Sequence, residues 1–192
     1  MTWRSFILAG VVAGATLATL TVPVSRYAVW NASASVPTGL YTIRGKASLH
    51  VGERVAIEAP PELRQLLAER GYLPTGVPLI KRIAAVSGQR VCRFGHGVTI
   101  DGEFAGVARA RDRLGRPLPA WFGCRMLRTG ELFMMNPAVP DSFDGRYFGM
   151  LSLADVIGRA TPVWTDEAGD GDHSWFADPR AKPSQTPSTK GD

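Results

Sequence analysis

The sequence is organised around one stretch, Pro78-Leu-Ile-Lys-Arg-Ile-Ala-Ala-Val86. Side chains alternate between the two faces of a strand, so Lys81 shares a face with Leu79 and Ile83, and Arg82 lies on the other face. Each face mixes one cation with apolar neighbours, and one cation is expected to face the interior. Burial neutralises a lysine far more readily than an arginine. The pattern therefore predicts a buried Lys81 with a pKa lowered toward about 7–8; a lysine that reaches water at the sheet edge is the alternative.

Patterns typical of strands continue on both sides of this stretch. Alternating or apolar runs bounded by turn residues predict further strands at residues 39–44, 53–59, 89–94, 98–100 and 131–135. The segment from Pro61 to Arg70 has leucines at helical spacing behind a first-turn proline, and it predicts one short soluble helix. Together these elements predict a mainly β domain over residues 27–165.

An uncharged run lies near the start of the chain. It extends from Phe6 to Val24, and Arg4 and Arg26 flank it. Its 19 residues nearly suffice, as a helix, to cross a hydrocarbon core of about 30 Å. We expect residues 1–26 to form an N-terminal transmembrane helix with the body outside the cytoplasm; a cleaved secretory signal is the alternative.

Charge is distributed unevenly along the chain. The net charge is +5, whereas residues 166–192 carry a net charge of −3. Their Gly, Asp, Pro, Ser and Thr content predicts a disordered acidic and polar tail, in which Trp175-Phe176 is an apolar island suited to a short docking element. The body is basic, yet no cationic run is longer than Lys81-Arg82 and no aromatic ladder accompanies the cations. Nucleic acid is therefore not an expected partner.

The chain contains two cysteines, Cys92 and Cys124. Outside the cytoplasm they favour one disulfide that closes a loop of about 33 residues, which stabilises a fold by roughly 3–4 kcal/mol in the chain-entropy model. Two buried free thiols are the alternative. Two cysteines without a neighbouring pair of histidines argue against a zinc site, and no metal or cofactor is expected.

A second segment with chemical potential is Asn31–Tyr41, which places Ser33 and Ser35 ahead of Pro37 and Gly39. A polar linker that leads into a strand explains these residues without catalysis. The same residues also fit a nucleophilic serine on a loop shaped by proline and glycine, with an oxyanion donor beside it.

The third segment is Pro140-Asp-Ser-Phe-Asp-Gly-Arg-Tyr-Phe-Gly149. Its simplest interpretation is a turn in which Asp144 pairs with Arg146. Its functional interpretation is a supporting loop, in which Ser142 contacts a lysine amine and the ion pair fixes the loop.

The order of these segments resembles the type I signal peptidase superfamily of Ser/Lys proteases. The anchor, Ser-x-Ser-x-Pro, Ile-Lys-Arg and Asp-Ser-x-Asp-Gly-Arg-Tyr-x-Gly succeed one another between the N-terminus and about Thr165. Housekeeping members place two residues between nucleophile and proline, whereas Ser35-Val-Pro37 has one. This spacing is similar to the TraF-type branch of conjugative transfer signal peptidases. The resemblance implies a signal-peptidase-like antiparallel β fold.

The resemblance also implies roles for individual residues. Ser35 is the nucleophile and Lys81 is the general base. Ser33 offers its hydroxyl to the oxyanion, and Ser142 orients the lysine. The last loop is held by an ion pair, Asp144 with Arg146.

These roles predict a membrane-anchored serine endopeptidase that processes a pilin precursor for conjugative transfer. The resemblance places it at the bacterial inner membrane, as a single-pass protein with its catalytic domain on the periplasmic side. Maturation in the TraF-type branch can include cyclisation of the pilin, so hydrolysis and ring closure both stay open. The alternatives are a general type I signal peptidase of secreted preproteins and a non-catalytic, membrane-tethered component of a secretion channel.

Overall fold

The structure, a computed structural model, describes residues 27–178. The predicted anchor at residues 1–26 lies outside the described residues, as do residues 179–192 of the predicted tail. Within residues 27–178, no helix has the length and apolar character needed to cross a membrane.

Residues 27–178 form two antiparallel sheets and two α-helices. The strands are β1 (Tyr27–Asn31), β2 (Thr38–Arg44), β3 (Arg54–Ile57), β4 (Leu79–Ala85), β5 (Arg90–Phe94), β6 (Gly97–Ile100), β7 (Glu103–Val107), β8 (Gly123–Met126), β9 (Glu131–Met134), β10 (Met150–Ser152), β11 (Val156–Asp166) and β12 (Ser174–Trp175). The larger sheet has the order β1-β2-β11-β3-β4-β9-β10, with β12 also paired to β11, and the smaller has the order β7-β6-β5-β8. The prediction of a mainly β, antiparallel fold is confirmed.

Strand β4 lies inside the larger sheet, between β3 and β9. Lys81 is paired with Val55 of β3, and Ile83 is paired with Met134 of β9. Leu79, Lys81 and Ile83 are buried, as the period-two pattern predicts for one face of the strand. The alternative of a lysine that snorkels to the sheet edge is therefore wrong.

Helix α1 (Pro61–Glu69) is the soluble helix that the sequence predicts. Pro61 occupies the first turn, where its missing N–H costs no hydrogen bond. The helix buries Leu63 and Leu67 in a core cluster with Ile57 of β3 and Leu79 of β4. The hydrophobic spacing thus fixes which face of α1 packs on the larger sheet.

A second helix, α2 (Gly145–Phe148), corrects the expectation of a single soluble helix. It forms within residues 140–149, the segment whose simplest interpretation from sequence is a turn. The Asp144 side chain caps it by accepting a hydrogen bond from the backbone N–H of Arg146. Gly145, Arg146 and Tyr147 are buried, so tertiary packing stabilises a turn of helix that is too short to form on its own.

The start of the C-terminal segment corrects the prediction of a tail disordered from Asp166. Strand β12 pairs with β11, with Trp175 opposite Trp164. The Asp166 carboxylate accepts hydrogen bonds from three backbone N–H groups of the turn that follows, those of Gly169, Asp170 and Gly171. Residues 166–178 are therefore an ordered extension of the larger sheet.

The smaller sheet contains a disulfide between Cys92 of β5 and Cys124 of β8. The two residues are directly paired across the strands. The inner face of this sheet buries Val91 and Val98 against Phe133, which belongs to β9 of the larger sheet. Packing through β9 therefore joins the two sheets.

Candidate active site

The loop between β1 and β2 holds the two candidate serines, and Asn31 organises it. Asn31 Nδ2 donates to the carbonyl oxygens of Ser33 (2.8 Å), Val36 (3.1 Å) and Pro37 (3.0 Å). Its Oδ1 accepts from the backbone N–H of Ser33 at 3.1 Å. One buried amide side chain thus satisfies the backbone of a tight loop that has no strand partner.

Ser35 lies at the base of this loop and is 8% exposed. Its Oγ is 3.1 Å from Ser33 Oγ, and its backbone N–H donates to Ser33 Oγ at 3.4 Å. A backbone N–H and a second hydroxyl therefore stand beside the candidate nucleophile. These are the two kinds of donor that stabilise an oxyanion.

Gly39 brings the end of the loop against β11. Its φ is +132°, and a Cβ at this position would lie 2.2 Å from the Trp164 carbonyl oxygen. A side chain would clash with backbone, so any other residue would push β2 away from β11. The glycine two residues after Pro37 is therefore required by the close approach of two strands.

Lys81 provides a buried amine. The residue is 2% exposed, and its Nζ donates to Ser142 Oγ at 3.3 Å. Burial lowers the pKa of Lys81 to about 8, while the nearby Asp144 carboxylate raises it and the Arg146 guanidinium lowers it. An amine with this pKa is partly neutral near neutral pH, and a neutral amine can accept a proton.

An ion pair between Asp144 and Arg146 fixes the loop that presents Ser142. Both side chains are buried, and Arg146 Nε and Nη2 donate to the two carboxylate oxygens at 2.8 and 2.9 Å. Arg146 Nη2 also donates to the carbonyl oxygens of Val139 (2.8 Å) and Ser142 (3.1 Å). The arginine therefore holds the backbone of the residue that contacts Lys81.

Asn136 connects the two halves of the site. Its Nδ2 donates to the Ser35 carbonyl oxygen at 2.8 Å, and its backbone N–H donates to Asp144 Oδ2 at 3.2 Å. A continuous chain of hydrogen bonds thus runs from the Ser35 backbone to the loop that holds Ser142. Among residues 27–178, the Ser35 hydroxyl is hydrogen-bonded to the Ser33 hydroxyl, and the Lys81 amine is hydrogen-bonded to Ser142. This part of the chain shows no direct hydrogen bond between the Ser35 hydroxyl and the Lys81 amine.

The structure places the six residues that the sequence assigns to the site in two hydrogen-bonded groups, which Asn136 links. The groups are Ser33 with Ser35, and Lys81 with Ser142, Asp144 and Arg146. Sequence reasoning missed two asparagines, Asn31 and Asn136. Asn31 opens the serine segment, and a polar side chain that precedes a Pro/Gly loop is a known sign of loop capping. No local signal identifies Asn136, because its partner Ser35 is 101 residues away.

A cavity lies between β1, β2 and α1, and none of its lining residues belongs to the serine loop. Its volume is about 350 Å³, and its lining includes Val29 of β1, Ile43 of β2 and Leu67 of α1. Strand β1 lies at one end of the larger sheet. Among residues 27–178, no strand pairs with its outer edge.

The described residues, 27–178, contain no group of three His, Cys, Asp or Glu side chains placed to hold a metal ion.

The family model described as signal peptidase, peptidase S26, matches residues 1–165. The plasmid transfer protein TraF of Escherichia coli is 32% identical over 147 residues, which cover 70% of this chain and 81% of that protein. The probable conjugal transfer protein TraF of Sinorhizobium fredii is 35% identical over 146 residues, covering 70% of this chain and 76% of that protein.

Among solved structures, the chain has a partial likeness to a signal peptidase I from Enterococcus faecalis. The match covers 60% of this chain and 98% of that chain, at 16% sequence identity and a TM-score of 0.36.

Proposed function

Because the chain belongs to the signal peptidase family, peptidase S26, we propose that this serine peptidase cleaves its substrates with a Ser35/Lys81 dyad. The observation that carries the proposal is the buried Lys81 amine, held by Ser142 and linked through Asp144 and Asn136 to the backbone of Ser35. A lysine with only a structural role is expected to keep its ammonium in water, because burial of the charge costs free energy. Such a lysine does not need the hydrogen bonds that hold the Lys81 amine.

The first half of the reaction acylates the serine. The Ser35 hydroxyl turns from Ser33 toward Lys81, and the neutral amine takes its proton as Oγ bonds to the scissile carbonyl carbon. The resulting oxyanion accepts hydrogen bonds from the Ser35 N–H and the Ser33 hydroxyl. The C–N bond then breaks, the leaving nitrogen takes the proton from the Lys81 ammonium, and an ester remains on Ser35.

The second half releases the new C-terminus. Lys81 removes a proton from the attacking group, which bonds to the ester carbon, and the Ser35 oxygen leaves with that proton. Water as the attacking group yields a linear product. The amine at the substrate's own N-terminus yields a ring. Both outcomes proceed from the same ester on Ser35, so we propose that cleavage with acylation of Ser35 precedes either one.

The outer edge of β1 and the cavity that Val29 of β1 lines support an extended peptide as the substrate. The edge of β1 offers backbone N–H and C=O groups to which a peptide strand can pair. The cavity lined by Val29 and Ile43 is apolar in the main, and it suits one apolar side chain of that peptide. We propose that the scissile bond, flanked by small residues, is thereby brought over Ser35.

The names of the relatives support a role in conjugation, and we propose a pilin precursor as the substrate. We further propose that residues 1–26 anchor the protein in the bacterial inner membrane with the catalytic domain in the periplasm. The Cys92–Cys124 disulfide supports this location, since disulfides persist in oxidising compartments. Anchoring would confine enzyme and precursor to one plane and raise their effective concentration.

A product-mass experiment tests the proposal. The full chain, purified in detergent, is incubated with a candidate pilin precursor, and the product is weighed by mass spectrometry. We expect cleavage by the wild type and none by Ser35→Ala; a ring is one water lighter than the linear product. Equal cleavage of unrelated secretory preproteins would instead indicate a general signal peptidase. Failure to cleave any precursor, together with no labelling of Ser35 by a serine-directed acylating probe, would indicate a non-catalytic channel component.

The lowered pKa of Lys81 predicts a pH dependence. With a pKa of about 8, the neutral fraction of the amine rises about tenfold between pH 7 and pH 9. We therefore expect kcat/KM to rise about tenfold over that interval and to level off above it. Initial rates across this range check the prediction, and Lys46→Met, which removes an exposed lysine, serves as the control with the wild-type profile. A flat profile would contradict Lys81 as the base.

A further inference from the structure

A second ion pair, between a buried arginine and a partly buried glutamate, is linked to the serine loop, and the proposed reaction does not use it. Arg54 of β3 is 1% exposed. Its Nη1 and Nη2 donate to the two carboxylate oxygens of Glu167 at 2.8 and 2.6 Å. Glu167 directly follows β11, in the segment whose composition predicts disorder. A bidentate ion pair between a buried guanidinium and a carboxylate fixes both groups in one geometry.

This ion pair contacts the loop through Tyr41. Arg54 Nη1 donates to the Tyr41 hydroxyl at 3.5 Å, and that hydroxyl donates to the Pro37 carbonyl oxygen at 2.7 Å. Tyr41 is fully buried, and burial raises its pKa to about 12. The hydroxyl therefore keeps its proton at neutral pH and stays a donor to the loop.

Two further observations explain why a carboxylate is held at position 167. Thr165 Oγ1 donates to Glu167 Oε1 at 2.8 Å, which orients the carboxylate toward Arg54. Arg82 of β4 is paired with Arg54 across the sheet, so two positive charges lie side by side. The Glu167 carboxylate offsets this repulsion, and its loss would leave Arg54 buried without its counter-ion.

We propose that Glu167 is a positioning residue for Ser35. Its hold on Arg54 orients the Tyr41 hydroxyl, which together with Asn31 fixes the Pro37 carbonyl, two residues beyond the nucleophile. The ordered segment after β11 thereby sets where the Ser35 hydroxyl stands relative to Lys81. This inference rests on the proposed function, since it concerns the same nucleophile.

The test is a double-mutant cycle in the full chain with Glu167→Gln and Tyr41→Phe. Each single variant is expected to lower kcat and the rate of Ser35 acylation by a serine-directed probe by about 10- to 100-fold, because small displacements of a reacting group are costly. KM is expected to change little, since neither side chain lines the cavity. The double variant is expected to be no slower than the slower single variant, because both changes break one chain of contacts. Asp172→Asn, an exposed acid of the same segment, is the matched control with wild-type rates.

Two results would overturn the inference. One is a wild-type kcat in Glu167→Gln at temperatures below its unfolding midpoint, which would make the pair a structural tie only. The other is a double variant in which the two losses multiply. Tyr41→Phe keeps the ion pair, so it decides the matter even where Glu167→Gln folds poorly. Unimpaired cleavage by Ser35→Ala would defeat the proposed function and this inference with it, whereas an inactive Ser35→Ala beside a fully active Glu167→Gln defeats the inference alone.

Discussion

Replacing Lys81 by methionine is expected to abolish detectable cleavage, with kcat lowered by about 10²- to 10⁴-fold, the range over which a general base contributes. The methionine side chain is close in length to that of lysine and apolar, so it suits a position that is 2% exposed. The fold is therefore expected to survive while the proton acceptor is lost. Cleavage assays and circular dichroism of the purified variant check both parts.

Lys81→Arg separates charge from basicity. A guanidinium keeps its proton at any pH at which the protein is folded, so this variant is expected to be as inactive as Lys81→Met. Lys46→Met, at an exposed lysine, is the control and is expected to cleave at the wild-type rate. Substantial turnover by either Lys81 variant would remove the lysine from the mechanism.

Replacing Asp144 by alanine is expected to lower the free energy of unfolding by about 3–5 kcal/mol, the usual consequence of removing one partner of a buried ion pair. Arg146 is 1% exposed and would keep its charge without a counter-ion. The backbone N–H of Asn136 and that of Arg146 would also lose their acceptor. Urea unfolding followed by circular dichroism measures the change.

Asp141→Ala is the matched control for this second variant. Asp141 lies three residues before Asp144, but its ion pairs with Arg109 and Arg113 are on the surface. Such pairs contribute up to about 1 kcal/mol, so the loss is expected to be much smaller. Equal losses in the two alanine variants would show that the burial of the Asp144–Arg146 pair does not matter.

Local patterns predict the elements that carry the site. The period-two pattern around Lys81 identifies β4 and its buried face, and the Pro61 and leucine signals identify α1. Such features depend on residues that are neighbours along the chain. The order of the three motifs predicts that the serine, the lysine and the Asp144 loop share one site, although no local pattern shows that they meet.

Features that depend on contacts between residues far apart in the chain cannot be predicted from local sequence patterns. Helix α2 needs the packing of Gly145 against β9, where a Cβ would lie 2.6 Å from the Met134 carbonyl oxygen. Composition predicts disorder for the segment that begins at Asp166, yet Glu167 meets Arg54, which is 113 residues earlier. Ion pairs and close approaches of this kind belong to the assembled fold and leave no periodic trace.

The burial of Lys81 has a thermodynamic consequence beyond catalysis. The folded chain releases the lysine proton near pH 8, whereas the unfolded chain retains it until about pH 10.5. Between these limits the unfolded chain binds more protons, so stability rises with pH across that window. Below it, the protonated amine costs the native state about 3 kcal/mol relative to a lysine in water. At neutral pH the buried Lys81 amine therefore destabilises the fold, and the packing of the surrounding residues must compensate for that free-energy cost.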